Sequence, residues 1–178
     1  PLIKIAKKNG IKFHNDISLF FEENDLKETK VIAVTGTNGK TTVCSMIEQI
    51  ILESGLKAKI VGNIGVPILD IDHANNLNVL IVELSSFQLE VLDNAKIDVG
   101  IILNISDDHM DRYDSFINYF QAKAKLFNLA ETKIVNRDDE GLFPLKDKAT
   151  LSFGISKSKS EQDYILTKID SKSYIKMG

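Results

Sequence analysis

Short apolar runs alternate along this chain with longer amphipathic stretches. Val31-Ile32-Ala33-Val34-Thr35 is one such run, and Ala58–Val61, Val79–Val82 and Val99–Leu103 have the same character. None of them alternates apolar with polar positions, which is the pattern of central parallel strands covered on both faces. Helical spacing fills the gaps. From about Lys40 to Ser54, the residues Val43, Met46, Ile47, Ile50 and Ile51 fall on one stripe, and Gly55 closes the helix. Further helices are expected near Phe87–Leu92 and over Ser115–Ala130, with a strand at Lys133–Asn136. Strand and helix in alternation predict an α/β fold with a doubly wound, mostly parallel sheet.

The two ends of the chain read differently. Beyond Leu145, strand-like Thr150–Phe153, Tyr164–Thr167 and Tyr174–Lys176 flank the Ser/Lys-rich Ser156–Ser160. They predict an extension of the sheet or a small C-terminal antiparallel one. Before Val31, Pro1–Gly10 suggests a short helix with a glycine cap, Ile11–His14 a short strand and Ile17–Glu23 another helix. That stretch has too little apolar surface for a core of its own. Residues 1–26 are therefore expected to be the end of a preceding domain plus a linker, and residues 27–178 a nucleotide-type domain. In such a sheet, ligands lie beyond the carboxyl ends of the strands.

Composition narrows the function. The 178 residues are 43% hydrophobic and 26% charged, an ordinary globular balance. With 22 Lys+Arg against 25 Asp+Glu the formal charge is −3, which argues against nucleic acid or an anionic membrane as a partner. Any phosphate must be held by local geometry. No apolar run approaches the roughly 20 residues of a membrane helix, and the opening residues do not read as a signal peptide. The single cysteine, Cys44, excludes an internal disulfide and a cysteine-based zinc site. A reduced, cytoplasmic setting is expected.

The strongest motif is Val34-Thr35-Gly36-Thr37-Asn38-Gly39-Lys40-Thr41-Thr42, after a buried strand and at the start of a helix. Backbone amides from Gly36 to Thr42 can receive phosphate oxygens, Lys40 supplies positive charge, and the Thr41 hydroxyl suits Mg²⁺. The strict phosphate-loop pattern fails by one residue, because Val34 stands where its first glycine belongs. Glu83 ends the run Val79–Val82. A lone acid there is equally a solvated strand end, but with a phosphate loop on the same sheet it is placed to hold Mg²⁺.

Two further features invite chemistry. Asn104-Ile105-Ser106-Asp107-Asp108-His109-Met110-Asp111-Arg112 follows a strand and packs three acids, a histidine and an arginine into one loop. Most of its acids suit a polar loop, and His109 is the best metal-ligand candidate. In the helix Ser115–Ala130, at about 100° per residue, Phe116, Phe120, Ala124 and Phe127 share a face. Lys123 lies among them, whereas Lys125 points almost opposite. Such a lysine either snorkels to water or is buried with a lowered pKa. In the second case the neutral amine can take up CO₂ as a carbamate, turning a cation into a carboxylate-like anion. His14, His73 and Cys44 are weak candidates, Cys44 for packing rather than chemistry.

Together these residues resemble the central domain of the Mur ligases, the ATP-dependent amide-forming enzymes of peptidoglycan precursor synthesis. Thr35–Thr42 is similar to that family's phosphate loop, which accounts for Val34. Glu83-Leu84-Ser85-Ser86-Phe87-Gln88-Leu89-Glu90, Gly62-Asn63-Ile64-Gly65 and Asn104–Arg112 resemble the member that joins D-glutamate to UDP-N-acetylmuramoyl-L-alanine. Gln121–Phe127 resembles the segment bearing the family's carbamylated lysine, at Lys123. The resemblance implies ATP, two Mg²⁺ ions and an acyl-phosphate intermediate. Thr41 and Glu83 would serve the first ion, His109 and carbamylated Lys123 the second, with Asn63 and Ser85 touching substrate. It also implies that the chain lacks the family's later helical motif and C-terminal domain, leaving an inactive piece of a monomeric enzyme. The alternatives are another ligase of the family, including one acting on folates, or a nucleotide-binding module without catalysis.

Overall fold

The computed structural model describes residues 5, 8–71, 76–106, 112–157, 160–169 and 172–177. Their strands are β1 (Lys30–Thr35), β2 (Ala58–Gly62), β3 (Val79–Glu83), β4 (Ile97–Ile102), β5 (Ala130–Asn136), β6 (Leu151–Gly154), β7 (Tyr164–Ile169) and β8 (Lys172–Met177). All join one sheet in the order β2-β3-β1-β4-β5-β6-β7-β8. Every pairing is parallel except β7 with β8, so the expected antiparallel extension continues the main sheet.

The helices are α1 (Asp16–Glu23), α2 (Lys40–Glu53), α3 (Ser86–Glu90), α4 (Phe116–Ala124), α5 (Leu126–Leu129) and α6 (Phe143–Lys146). Both faces of the sheet are covered, which is why its strands do not alternate. Leu80 and Val82 share a core with Ile17 and Phe20 of α1, Tyr119 of α4, and Leu126 and Phe127 of α5. Their neighbours Val79 and Ile81 point the other way, against Cys44 with Val43, Ile47 and Ile51 of α2. Because successive strand residues face opposite sides, each layer takes alternate positions of the same apolar run.

Four sequence expectations shift. Met46 and Ile50 are 59% and 65% exposed, because the arc of α2 that meets the sheet is centred on Cys44 and Ile47. The helix expected over Ser115–Ala130 divides at Lys125, whose ammonium is held by Asp93 at 2.6 Å and the Glu90 carbonyl at 2.9 Å. The strand expected from Lys133 already begins at Ala130, beside Gly100 of β4, where a Cβ would stand 2.6 Å from the Ala130 Cβ. Residues 11–14 form no strand.

The early residues nonetheless dock firmly. Asn15 caps α1 in a reciprocal arrangement with Ser18, and its amide donates to the Gln88 carbonyl of α3 at 3.1 Å. Ile17 and Phe20 are buried against the central sheet.

Candidate active site

β1 lies between β3 and β4, with β2 reached on one side and β4 on the other, so its carboxyl end is the switch point of the sheet. The strand ends are tied there. Leu84 N–H donates to Val34 O at 2.9 Å, Leu103 N–H to Thr35 O at 3.0 Å, and the buried Thr35 hydroxyl to Leu84 O at 2.8 Å. Val34 is fully buried within β1, level with Glu83 and Ile101. The strand runs on to Thr35, so the turn starts at Gly36 and needs no glycine at position 34. Gly39 then adopts φ +82° as the N-cap of α2, a left-handed conformation that favours glycine. The first turn of α2 thus presents its open amides at the sheet edge.

Lys40 bends back over the loop, donating to Gly36 O at 2.9 Å and Thr37 O at 3.0 Å. Lys123 arrives from α4 and also donates to Gly36 O at 2.9 Å. It is 2% exposed, with Nζ 4.8 Å from the centre of the Tyr119 ring. The sequence left snorkelling and burial open at this position; the side chain is buried. The fully buried face of its helix holds Tyr119, Ala122 and Lys123, while Phe116, Phe120 and Ala124 flank it half-buried.

Glu83, at the carboxyl end of β3, is 1% exposed. Its Oε2 accepts from the Thr41 hydroxyl and its Oε1 from the Asn63 amide, both at 3.0 Å. Asn63 N–H also donates to Glu83 O at 2.9 Å. That approach depends on Gly62, which has φ +102° and where a Cβ would stand 2.3 Å from Glu83 O. Lys40, Asn63, Ser85, Tyr119 and Lys123 line one cavity of about 250 Å³ with the phosphate loop. A larger cavity, of about 500 Å³, lies at the opposite edge of the sheet, where Lys30 and Asp98 neutralise each other.

The structure therefore brings together Lys40, Thr41, Asn63, Glu83, Ser85 and Lys123. The Ser85 hydroxyl accepts from Gln88 N–H at 3.2 Å and donates to the Gln88 side chain at 3.1 Å, capping α3. His109, Asp107, Asp108 and Asp111 lie outside the described residues, as does His73. Among the described residues, no three His, Cys, Asp or Glu side chains gather as a metal cage. Cys44 is fully buried, and burial together with the Glu83 charge pushes its thiol up to about 12, leaving it inert. His14 pairs with Glu22 on the surface.

Two contributors were missed. Tyr119 lies one helical turn before Lys123, a spacing visible in the sequence, and its hydroxyl is 3.0 Å from the Thr37 hydroxyl. Asn104 binds the phosphate loop through both backbone and side chain, and nothing local distinguishes it from its polar neighbours.

The switch-point loop, the acid at the end of the neighbouring strand and the sheet order together define a P-loop-type α/β domain. The profile of the Mur ligase middle domain matches residues 34–176, and the chain belongs to the Mur ligase family. It is 42% identical over 139 residues to the UDP-N-acetylmuramoylalanine–D-glutamate ligase of Wolbachia pipientis wMel, covering 78% of this chain and 27% of that protein. To the ligase of the same name from Buchnera aphidicola subsp. Acyrthosiphon pisum (strain Tuc7) it is 43% identical over 162 residues, covering 89% and 36%. The chain thus spans little more than a third, at most, of these relatives. The MurF ligase of Thermotoga maritima in complex with ADP shares the fold at TM-score 0.63 and 20% identity, covering 79% of this chain and 35% of that one.

Proposed function

We propose that this chain is the ATP-binding part of a cytoplasmic, monomeric ligase that adds D-glutamate to UDP-N-acetylmuramoyl-L-alanine. Residues 27–178 would form the central domain, and residues 1–26 the end of an N-terminal substrate domain with its linker, docked through Ile17 and Phe20. The observation that carries the reading is the convergence of two lysines on the Gly36 carbonyl in one phosphate-loop cavity, whose Asn63 is held by the buried Glu83 carboxylate. The relatives' names supply the substrates.

In the reaction, a carboxylate oxygen of the L-alanyl substrate attacks the γ-phosphorus of ATP, and the bond to the ADP oxygen breaks. The amine of D-glutamate then attacks the acyl phosphate. The tetrahedral intermediate expels phosphate with its electron pair, and the amine loses a proton. All these partners are anions, so charge compensation governs the rate. Backbone amides within the Gly36–Thr42 stretch and the Lys40 ammonium would hold the phosphates. Asn63 and Ser85 would orient the muramoyl substrate.

A buried carboxylate with a hydroxyl beside it is a donor set that suits Mg²⁺, which is commonly held by one or two carboxylates together with substrate phosphates. Thr41 and Glu83 would hold one ion, His109 and Lys123 a second. Bound there, Mg²⁺ would neutralise charge developing on the transferred phosphoryl group. Lys123 would reach its ligating form by attack of the neutral amine on CO₂, with loss of one proton to give a carbamate. As an ammonium it would repel a cation.

The resemblance of Ser85-Ser86-Phe87-Gln88 to the D-glutamate-adding member disfavours another ligase of the family. The test is incorporation of labelled amino acids by the full-length enzyme with ATP, Mg²⁺ and UDP-N-acetylmuramoyl-L-alanine. D-Glutamate should be incorporated with one ADP and one phosphate released per bond. Incorporation of a different amino acid, or no nucleotide hydrolysis, would overturn the reading. Residues 1–178 alone should show negligible turnover, since substrate positioning supplies several kcal/mol of such barriers.

A further inference from the structure

The first half of the phosphate loop is zipped onto the segment that leaves β4. Thr37 N–H donates to Asn104 O at 3.0 Å. Asn38 N–H donates to Asn104 Oδ1 at 2.8 Å, and Asn104 Nδ2 returns a bond to Asn38 O at 3.0 Å. Two residues on, Ser106 N–H donates to the Thr37 hydroxyl at 3.1 Å. One asparagine side chain therefore grips the Asn38 residue through both its amide and its carbonyl, immediately before the left-handed turn at Gly39.

We infer that Asn104 is a positioning residue that divides the labour of the loop. The amides of Thr37 and Asn38 serve the protein, and phosphate is received by the amides from Gly39 to Thr42 together with Lys40. This rests on the proposed nucleotide site and assigns its donors. A loop held in its working shape before the ligand arrives loses less freedom on binding. A main-chain bond from Thr37 alone would leave the Asn38 peptide free to rotate, and with it the entry to α2.

The test combines amide hydrogen exchange with calorimetric titration of MgADP into the chain. In the wild type, the Asn38 amide is protected without nucleotide, whereas amides from Gly39 to Thr42 gain protection when MgADP binds. Asn104→Ala should free the Asn38 amide, leave Thr37 protected, and weaken MgADP roughly ten-fold or more, from the loss of two side-chain hydrogen bonds. Asn104→Asp keeps an acceptor for Asn38 N–H but cannot donate to Asn38 O. It should keep Asn38 protected and still bind MgADP more weakly than the wild type, which preserves the test if the alanine variant fails to fold.

A rapidly exchanging Asn38 amide in the wild type would overturn the inference. So would folded Asn104 variants that bind MgADP as tightly as the parent, even with a lowered Tm, because Asn104 would then be merely structural. No measurable MgADP binding by either the wild-type chain or the full-length enzyme would instead overturn the nucleotide reading beneath it.

Discussion

Lys40 and Lys123 donate to the same oxygen, the Gly36 carbonyl, each at 2.9 Å. Their ammonium nitrogens are thus no further apart than twice that distance. If both are protonated, two such charges repel by about 3 kcal/mol at an effective dielectric of 20. In the proposed ligase a nucleotide phosphate beside them, or conversion of Lys123 to a carbamate, would relieve this repulsion. The arrangement explains why an otherwise apolar helix face carries a lysine at position 123.

Lys40→Ala should abolish ligation by the full-length enzyme, with kcat falling by about 10²-fold or more. Lys40 donates to Gly36 and Thr37 carbonyls of the loop and packs no core, so the fold should survive. Circular dichroism and thermal unfolding check the fold, and the rise in Tm given by MgADP should vanish. Unchanged turnover would remove Lys40 from the site.

Glu83→Gln keeps the shape of the side chain but removes the charge a hard cation requires. The expected result is a loss of rate together with a Mg²⁺ titration displaced to higher concentration. Gln can still accept from the Thr41 hydroxyl, so a fold defect should not obscure the outcome. Superimposable Mg²⁺ curves would leave Glu83 as a strand-end acid.

For Lys123, substitution separates charge from chemistry. Lys123→Ala should be nearly inactive and partly restored by small carboxylates that enter the gap. Lys123→Arg should also fail, because it keeps the positive charge but cannot form a carbamate. Full activity of Lys123→Arg would end the carbamate proposal and leave a buried cation on the Gly36 carbonyl.

Asp98 predicts acid sensitivity at the opposite end of the sheet. Burial pushes its carboxyl up, but the hydrogen bond from Lys30, the Val31 N–H and the Lys30 charge outweigh it, leaving a pKa below the ordinary carboxylate value. A depressed folded pKa contributes stability above the unfolded value, near 4, and that contribution is lost as pH falls through the folded value. Asp98→Asn should therefore melt a few degrees below the parent at pH 7, with the gap closing toward pH 3. Thermal unfolding across that range checks it. A constant gap would mean that packing rather than charge holds β1 to β4.

The sequence by itself determined the strands β1 to β4, the phosphate loop and its helix, the acid at the end of β3 and the family resemblance. These rest on local information: an apolar run of strand length, glycines where a turn must tighten, and residue types adjacent in the chain. Tertiary structure decided the rest. Which arc of α2 is buried depends on where the sheet lies, so Met46 and Ile50 suit the helical pattern yet face solvent. Lys123 reaches a carbonyl 87 residues away, and Asn104 grips a peptide 66 residues away. No spacing along the chain encodes such meetings. They arise because parallel strands bring their carboxyl ends to one edge, where loops distant in sequence must satisfy one another's hydrogen bonds.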